Sequence, residues 1–181
     1  MSPSQPPFAV ECTGGNVLVT DVATAMALRR DHRIVGALIA SHPAKPQQNN
    51  YLGLPLQLLP EEAAVLQQTN IIAITGDKFA WPQSDRDTVR LKLYKHFRDL
   101  GYYVTRAVKF GGDFLLYPGE PMRYHSPFVA TLVGFDEKFR PRELVALGRL
   151  GTNVKKTRLM CAWDADRQTF SIISMNWSAM G

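Results

Sequence analysis

The sequence predicts a mixed α/β fold in two small domains, and three observations carry that expectation. Short apolar, β-branched runs alternate with segments of helical periodicity, which is the pattern of strands and helices packed on one another. The chain of 181 residues is 45% hydrophobic and 20% charged, the balance of a globular protein rather than of a disordered or collagen-like one. The charge balance changes near residue 84. Residues 1–84 hold five Lys and Arg against six Asp and Glu, a net of −1, and residues 85–181 hold sixteen against ten, a net of +6. Ala80 to Ser84, with Pro82 at its centre, reads as a linker at the same place. The expected domains are therefore 1–84, linker included, and 85–181.

In the first domain, Val17 to Thr20 is a short strand candidate. Asp21 is a suitable N-cap for a helix through Val22, Ala25, Met26 and Leu28, closed by Arg29 and Arg30, whose charges suit a helix C-terminus. Ile34 to Ala40 is apolar enough for a strand, and Ser41 to Asn50, with two prolines, reads as a surface loop. Pro60-Glu61-Glu62 starts a helix, since proline fits the first turn and carboxylates favour its N-terminus. Asn70 to Thr75 is the next strand, ended by Gly76-Asp77.

The second domain opens with a helix from about Asp87 to Leu100, where Val89, Leu93, Phe97 and Leu100 recur at helical spacing before Gly101. Tyr102 to Lys109 and Phe114 to Tyr117 flank Gly111-Gly112 as two strands around a turn. Phe128 to Phe135 is a strand, Pro141 with Arg142 to Arg149 a helix, and Lys155 to Trp163 and Thr169 to Asn176 two further strands. The sheet is expected to be mixed, and no internal repeat is visible.

Several classes are excluded or made less favourable. The longest apolar stretches fall well short of the roughly 20 residues that span a bilayer, and the Ser/Pro/Gln-rich start, Met1 to Phe8, has no signal-peptide pattern. Cys12 and Cys161 are far apart and outside any Cys/His cluster, so they are expected to be reduced and structural. No metal and no cofactor are expected. The basic second half suits a polyanionic partner such as nucleic acid.

Four histidines occur. His42 falls in the expected loop, His96 on the charged face of a helix, and His32 in an exposed turn, so all three are expected to be solvated. His125 differs, because it closes a turn-rich connection between two strands, the kind of segment that carries catalytic groups. A tyrosine and a histidine held by a Pro-Gly loop, with Lys155-Lys156 nearby, suit general acid–base work on a phosphodiester.

The segment Lys109 to His125, KFGGDFLLYPGEPMRYH, resembles the catalytic motif of tRNA-splicing endonucleases, and within them the eukaryotic catalytic subunit that cuts at the 3′ splice site. Gly148 to Thr157, GRLGTNVKKT, and Tyr51 to Glu62, YLGLPLQLLPEE, extend the resemblance over nearly the whole chain. Glu120, Met122, Tyr124 and Ser126-Pro127 depart mildly from the motif, and the long insertion that many eukaryotic members carry between the halves is not found.

The resemblance implies an endonuclease-like α/β catalytic domain at 85–181 and a catalytic triad of Tyr117, His125 and Lys156, with Lys155 the alternative for the lysine. If both lysines lay in a strand, only one would face the site. Arg123, Lys155 and Arg158 are the expected RNA contacts. The implied reaction is metal-independent: the ribose 2′-OH attacks the adjacent phosphorus, leaving a 2′,3′-cyclic phosphate and a 5′-OH. Tyr117 is then the base, His125 the acid, and Lys156 the cation that holds the developing charge. A phenol's pKa of about 10 leaves phenolate scarce at neutrality unless a cation lies near. An imidazole, near 6.5, is well matched to proton transfer there.

Implied partners are precursor tRNA, a second catalytic subunit and two structural subunits, with the apolar run Phe170 to Met175 pairing with a structural subunit by strand addition. An acidic loop from a partner, and base-clamping residues from the other catalytic subunit, are also implied. Nuclear residence is expected, or the cytosolic face of the mitochondrial outer membrane as in some fungi. The competing readings are a non-catalytic structural subunit of the same assembly, a plain RNA-binding module, and a ribonuclease that also acts on messenger RNA.

Overall fold

The structure, a computed structural model, describes residues 7–41, 52–140, 142, 145 and 155–176. The chain divides into two units, Met1–Leu91 and Lys92–Gly181, each built around a mixed five-stranded sheet.

In the first unit, β1 (Phe8–Thr13) and β2 (Asn16–Val19) form a hairpin. Its two-residue turn, Gly14-Gly15, has positive φ at both positions, the primed turn that matches the twist of a hairpin. An Asp77 carboxylate oxygen accepts from the Gly14 N–H at 2.8 Å. Helix α1 (Val22–His32) is capped as expected: the Thr24 N–H donates to the Asp21 carboxylate at 2.7 Å, and this bond holds the Asp21 carboxyl below its usual range. Strand β3 (Ala37–Ser41), β4 (Leu52–Gln57), α2 (Pro60–Gln68) and β5 (Ile72–Gly76) follow. The order is β3-β4-β2-β1-β5, with β1 and β5 parallel. Val10, Cys12, Val17 and Val19 from the sheet close on Leu28, Ile34 and Leu66.

The strand expected from Ile34 begins three residues late. Arg33 ends α1 in the left-handed region and the Ile34 N–H donates back to the Leu28 carbonyl, so Ile34 is a core residue. The next two N–H groups, of Val35 and Gly36, donate to one oxygen of the buried Glu62 carboxylate at 2.9 and 3.2 Å. The other oxygen accepts from the Leu59 N–H at 2.8 Å. Glu62 thus closes the start of α2 and fastens the α1–β3 connection to it. Its neighbour Glu61, also buried, lies 2.9 Å from the Arg90 guanidinium. The strand expected at Asn70 starts at Ile72, because Asn70 has φ 56°. Strands β1 and β4 were not expected. The loop expected over Ser41 to Asn50 lies outside the described residues, except Ser41, which ends β3.

The unit boundary falls inside α3 (Asp85–Asp99), whose first turn is held by the Ser84 hydroxyl accepting from the Asp87 N–H at 3.1 Å. Leu93 and Phe97 are buried as expected, whereas Leu100 lies beyond the helix end and is exposed. Then come β6 (Tyr103–Arg106), a 3-10 turn (Val108–Phe110), β7 (Phe114–Tyr117), β8 (Phe128–Val133), β9 (Thr157–Asp164) and β10 (Thr169–Met175). The sheet order is β10-β9-β8-β7-β6, with only β8 and β9 parallel among these pairs. Helix α3 covers one face, its Tyr94 ring 5.9 Å from that of Phe114. The strand expected over Tyr102 to Lys109 gives way after Arg106 to the 3-10 turn, and the helix expected over Pro141 to Arg149 lies outside the described residues except for Arg142 and Val145, both helical.

His96 is half-buried rather than fully solvated. Its ring sits 5.5 Å from Phe97 and 5.6 Å from Phe170, between α3 and β10. His32 is the half-buried last residue of α1 rather than part of an exposed turn, and His42 lies outside the described residues. Both cysteines are free and buried. Burial, with the Asp113 charge adding to it, pushes the Cys161 thiol up to about 12. The native protein is expected to leave Cys161 unlabelled by a thiol reagent at pH 8 until it is unfolded, and rapid labelling of native Cys161 would contradict that burial. Among the described residues, no helix is long and apolar enough to cross a membrane.

Candidate active site

The second sheet brings the three candidate residues to one of its ends. Leu116 of β7 pairs with Phe128 of β8, and Phe128 pairs with Thr157 of β9. Tyr117 lies one residue beyond the first pair, Lys156 one residue before the second, and His125 three residues ahead of Phe128. Neighbouring strands are about 4.8 Å apart, so the three backbones converge although Tyr117 and Lys156 are 39 positions apart in the sequence.

Facing is set by the same register. Leu115, Val129 and Arg158 occupy mutually paired positions and share a face. Tyr117, two residues after Leu115, packs on this face with Phe110 against Ala107, Leu115 and Val129. Phe114 and Phe128 point the other way, toward Tyr94 and Tyr102. The face that carries Tyr117 is therefore opposite α3, and the Phe110 turn lies over it.

The connection to His125 is held at several points. Glu120 accepts at its carbonyl from the Arg123 and Tyr124 N–H groups, at 2.8 and 3.1 Å. The Tyr124 ring lies so close to Gly119 that an added Cβ there would be 2.5 Å from it. Ser126 is buried, its hydroxyl donating to the Phe128 carbonyl at 2.8 Å. His125 stands exposed between these two anchors.

Lys156 is not in a strand, contrary to the expectation for Lys155 to Trp163. Lys155 is an exposed turn residue with φ 52°, and β9 begins at Thr157. Lys156 is half-buried, and its ammonium donates to the Ser126 carbonyl and lies 5.4 Å from the centre of the Phe110 ring. Burial lowers its pKa from the ordinary 10.5. Below that lowered value the amine is charged both folded and unfolded, and burial of the charge opposes folding. Between it and 10.5 the unfolded chain holds a proton that the folded one has released, so stability rises with pH across this window. The unfolding free energy of wild type relative to Lys156→Met should rise there, and a flat difference would count against the burial.

Arg158 is enclosed, contrary to the expectation of an RNA contact. It is 1% exposed, with one guanidinium nitrogen donating to the Gly111 carbonyl and the Thr131 hydroxyl, each at 2.8 Å, and the other to the Phe110 carbonyl at 2.9 Å. A side chain so enclosed is a brace for the turn and not an RNA contact. Arg123 and Lys155 are exposed. Sequence reasoning singled out neither Phe110 nor Ser126 as part of the lysine's surroundings. The signal was the Gly111-Gly112 pair: Gly111 has φ 64°, and a Cβ on Gly112 would lie 2.4 Å from Val129, so this turn is built to press flat on the sheet.

At the far edge of the same sheet, β10 has one unpaired side among the described residues, with Ile173 67% exposed. Beside it is an apolar cavity of about 720 Å³, lined by Val133, Phe135, Phe139, Met160, Ile173 and Met175 among others. No group of His, Cys, Asp and Glu suited to a metal occurs among the described residues.

Comparison with known proteins gives both halves a counterpart. Residues 8–77 match the family model described as TSEN34-like, N-terminal domain, and residues 88–170 match tRNA intron endonuclease, catalytic C-terminal domain. The human tRNA-splicing endonuclease subunit Sen34 is 39% identical over 102 residues, 55% of this chain and 33% of its own length. The match thus spans about a third of that relative, and 32% of the mouse subunit. A probable Sen34 subunit of Schizosaccharomyces pombe is 23% identical, with 84% of this chain and 86% of the relative covered. The tRNA-splicing endonuclease of Saccharolobus solfataricus is 26% identical over 76% of this chain and 81% of its own. With a matching model on each half, the chain belongs to the tRNA-splicing endonuclease family.

Proposed function

We propose that the chain is the catalytic subunit of a tRNA-splicing endonuclease that cuts precursor tRNA at the 3′ splice site. The observation that carries this reading is the convergence of Tyr117, His125 and Lys156 at one end of the second sheet, with Tyr117 and Lys156 both beside the Phe110 turn.

In the reaction, the Tyr117 oxygen takes the proton of the ribose 2′-OH as that oxygen bonds to the adjacent phosphorus. The bond from phosphorus to the 5′-oxygen breaks, and His125 supplies the proton this leaving oxygen needs. Lys156 stabilises the extra negative charge on the phosphoryl oxygens. The ends are a 2′,3′-cyclic phosphate and a 5′-OH, a lyase-type outcome. The nucleophile belongs to the substrate and the acid and base to the protein, so no step calls for a metal. Exposed Arg123 and Lys155, flanking His125 and Lys156 in sequence, are placed to meet RNA phosphates.

The free side of β10, with its exposed Ile173 and the cavity next to it, supports pairing with a structural subunit by strand addition. In this reading the working particle is a heterotetramer with a second catalytic and two structural subunits. Its location is the nucleus, or in some fungi the cytosolic face of the mitochondrial outer membrane. The boundary between the two domains is placed at the linker Ala80–Ser84, which lies in the gap between the two matched segments.

A precursor tRNA with a single 2′-deoxy nucleotide on the 5′ side of the 3′ junction tests the chemistry. It should bind the assembly normally and resist cleavage at that junction alone. Cleavage there at the normal rate would remove the 2′-OH from the mechanism.

A further inference from the structure

We infer that Phe110 is a positioning residue for Lys156: its ring, braced by Arg158, is the wall that holds the ammonium against the Ser126 carbonyl. This rests on the proposed role of Lys156 in cleavage.

A lysine ammonium sits at the end of four flexible methylenes, and an ammonium free to wander delivers less charge at any one point. Here two contacts restrain it, the carbonyl of Ser126 and the face of Phe110, 5.4 Å away. The ring is itself restrained. Arg158 donates to the carbonyls of Phe110 and Gly111 and to the hydroxyl of Thr131. Phe110 packs beside Tyr117 on the Ala107, Leu115 and Val129 cluster. Gly112 admits no Cβ. A buried arginine, which sequence alone assigns to RNA, is thus used to fix a short turn whose aromatic ring faces the lysine ammonium. Ring–cation attraction is strongest where water is excluded, and Lys156 is half-buried here.

The test is a double-mutant cycle in the complete assembly, measuring single-turnover cleavage and precursor tRNA affinity for wild type, Phe110→Leu, Lys156→Met and the double variant. Phe110→Leu should slow cleavage by about 3- to 30-fold, the range open to a cation–ring contact, with affinity unchanged. In the Lys156→Met background it should have no further effect. Phe110→Tyr, which keeps the ring, should restore most of the rate. A multiplicative loss in the double variant, or no rescue by tyrosine, would overturn the inference, as would a Phe110→Leu rate equal to wild type. If Lys156→Met alone cleaves normally, the role of Lys156 has failed, and Phe110 with it. Thermal unfolding of each variant identifies a loss that comes from disruption of the turn, which would appear equally in both backgrounds.

Discussion

Replacing His125 with alanine should lower cleavage by about 10²- to 10⁴-fold, the usual contribution of a positioned proton donor, while leaving precursor tRNA affinity within about a factor of two, because phosphate contacts made by other residues position the RNA. The separation of the two effects follows from where His125 lies. It is exposed, it comes after a loop closed by the Glu120 carbonyl and the Tyr124–Gly119 contact, and buried Ser126 follows it. Truncating it removes no core contact among these. A parallel loss of affinity would point to an RNA-contacting role, and full activity would point to a structural subunit.

The largest effect on stability is expected at Glu62. Its carboxylate accepts from three backbone N–H groups, those of Leu59, Val35 and Gly36. Alanine would leave all three without this partner in or near the core. At roughly 1–3 kcal/mol for a buried group left unpaired, and with partial relief from water at the less buried pair, the loss should be about 3–5 kcal/mol. Against a typical domain stability of about 5–15 kcal/mol this is severe. Glutamine should recover only part of it, because its amide can accept at one side and presents N–H groups at the other. Urea unfolding of the three proteins measures this, and a Glu62→Ala midpoint equal to wild type would show that the three bonds carry no net stability.

What the sequence made legible was the local grammar. Asp21, Pro60 with two glutamates, and the spacing of Leu93 and Phe97 each predicted a helix that is present. The mixed sheet was anticipated through Phe114 to Tyr117 and Phe128 onward. The hairpin strand β1 was passed over, although Val10 and Cys12 alternate inward and Gly14-Gly15 follows. Strand β4 is hard to see in the sequence because it contains Pro55, a residue that argues against a central strand.

Other differences were not local. Ile34 lies in the core rather than a strand because Glu62, far along the chain, takes the next two N–H groups. Arg158 looked like an RNA contact because a basic residue beside Lys155 and Lys156 carries no mark of burial. Its partners, Phe110, Gly111 and Thr131, come from two other segments. His96 likewise looked solvated until β10 brought Phe170 to it. The motif supplied the identities of Tyr117, His125 and Lys156. The reason their backbones reach the same end of the sheet, Leu116 opposite Phe128 opposite Thr157, is a matter of register that depends on the whole sheet.

The most direct test of the central claim is cleavage of an intron-containing precursor tRNA by the complete assembly in EDTA, comparing wild type with His125→Ala and mapping each cut and its ends. The account predicts that wild type cuts both junctions, leaving a 2′,3′-cyclic phosphate and a 5′-OH, and that the variant loses the 3′-junction cut alone. A variant that still cuts both junctions, or a wild type that leaves a 5′-phosphate, would contradict it.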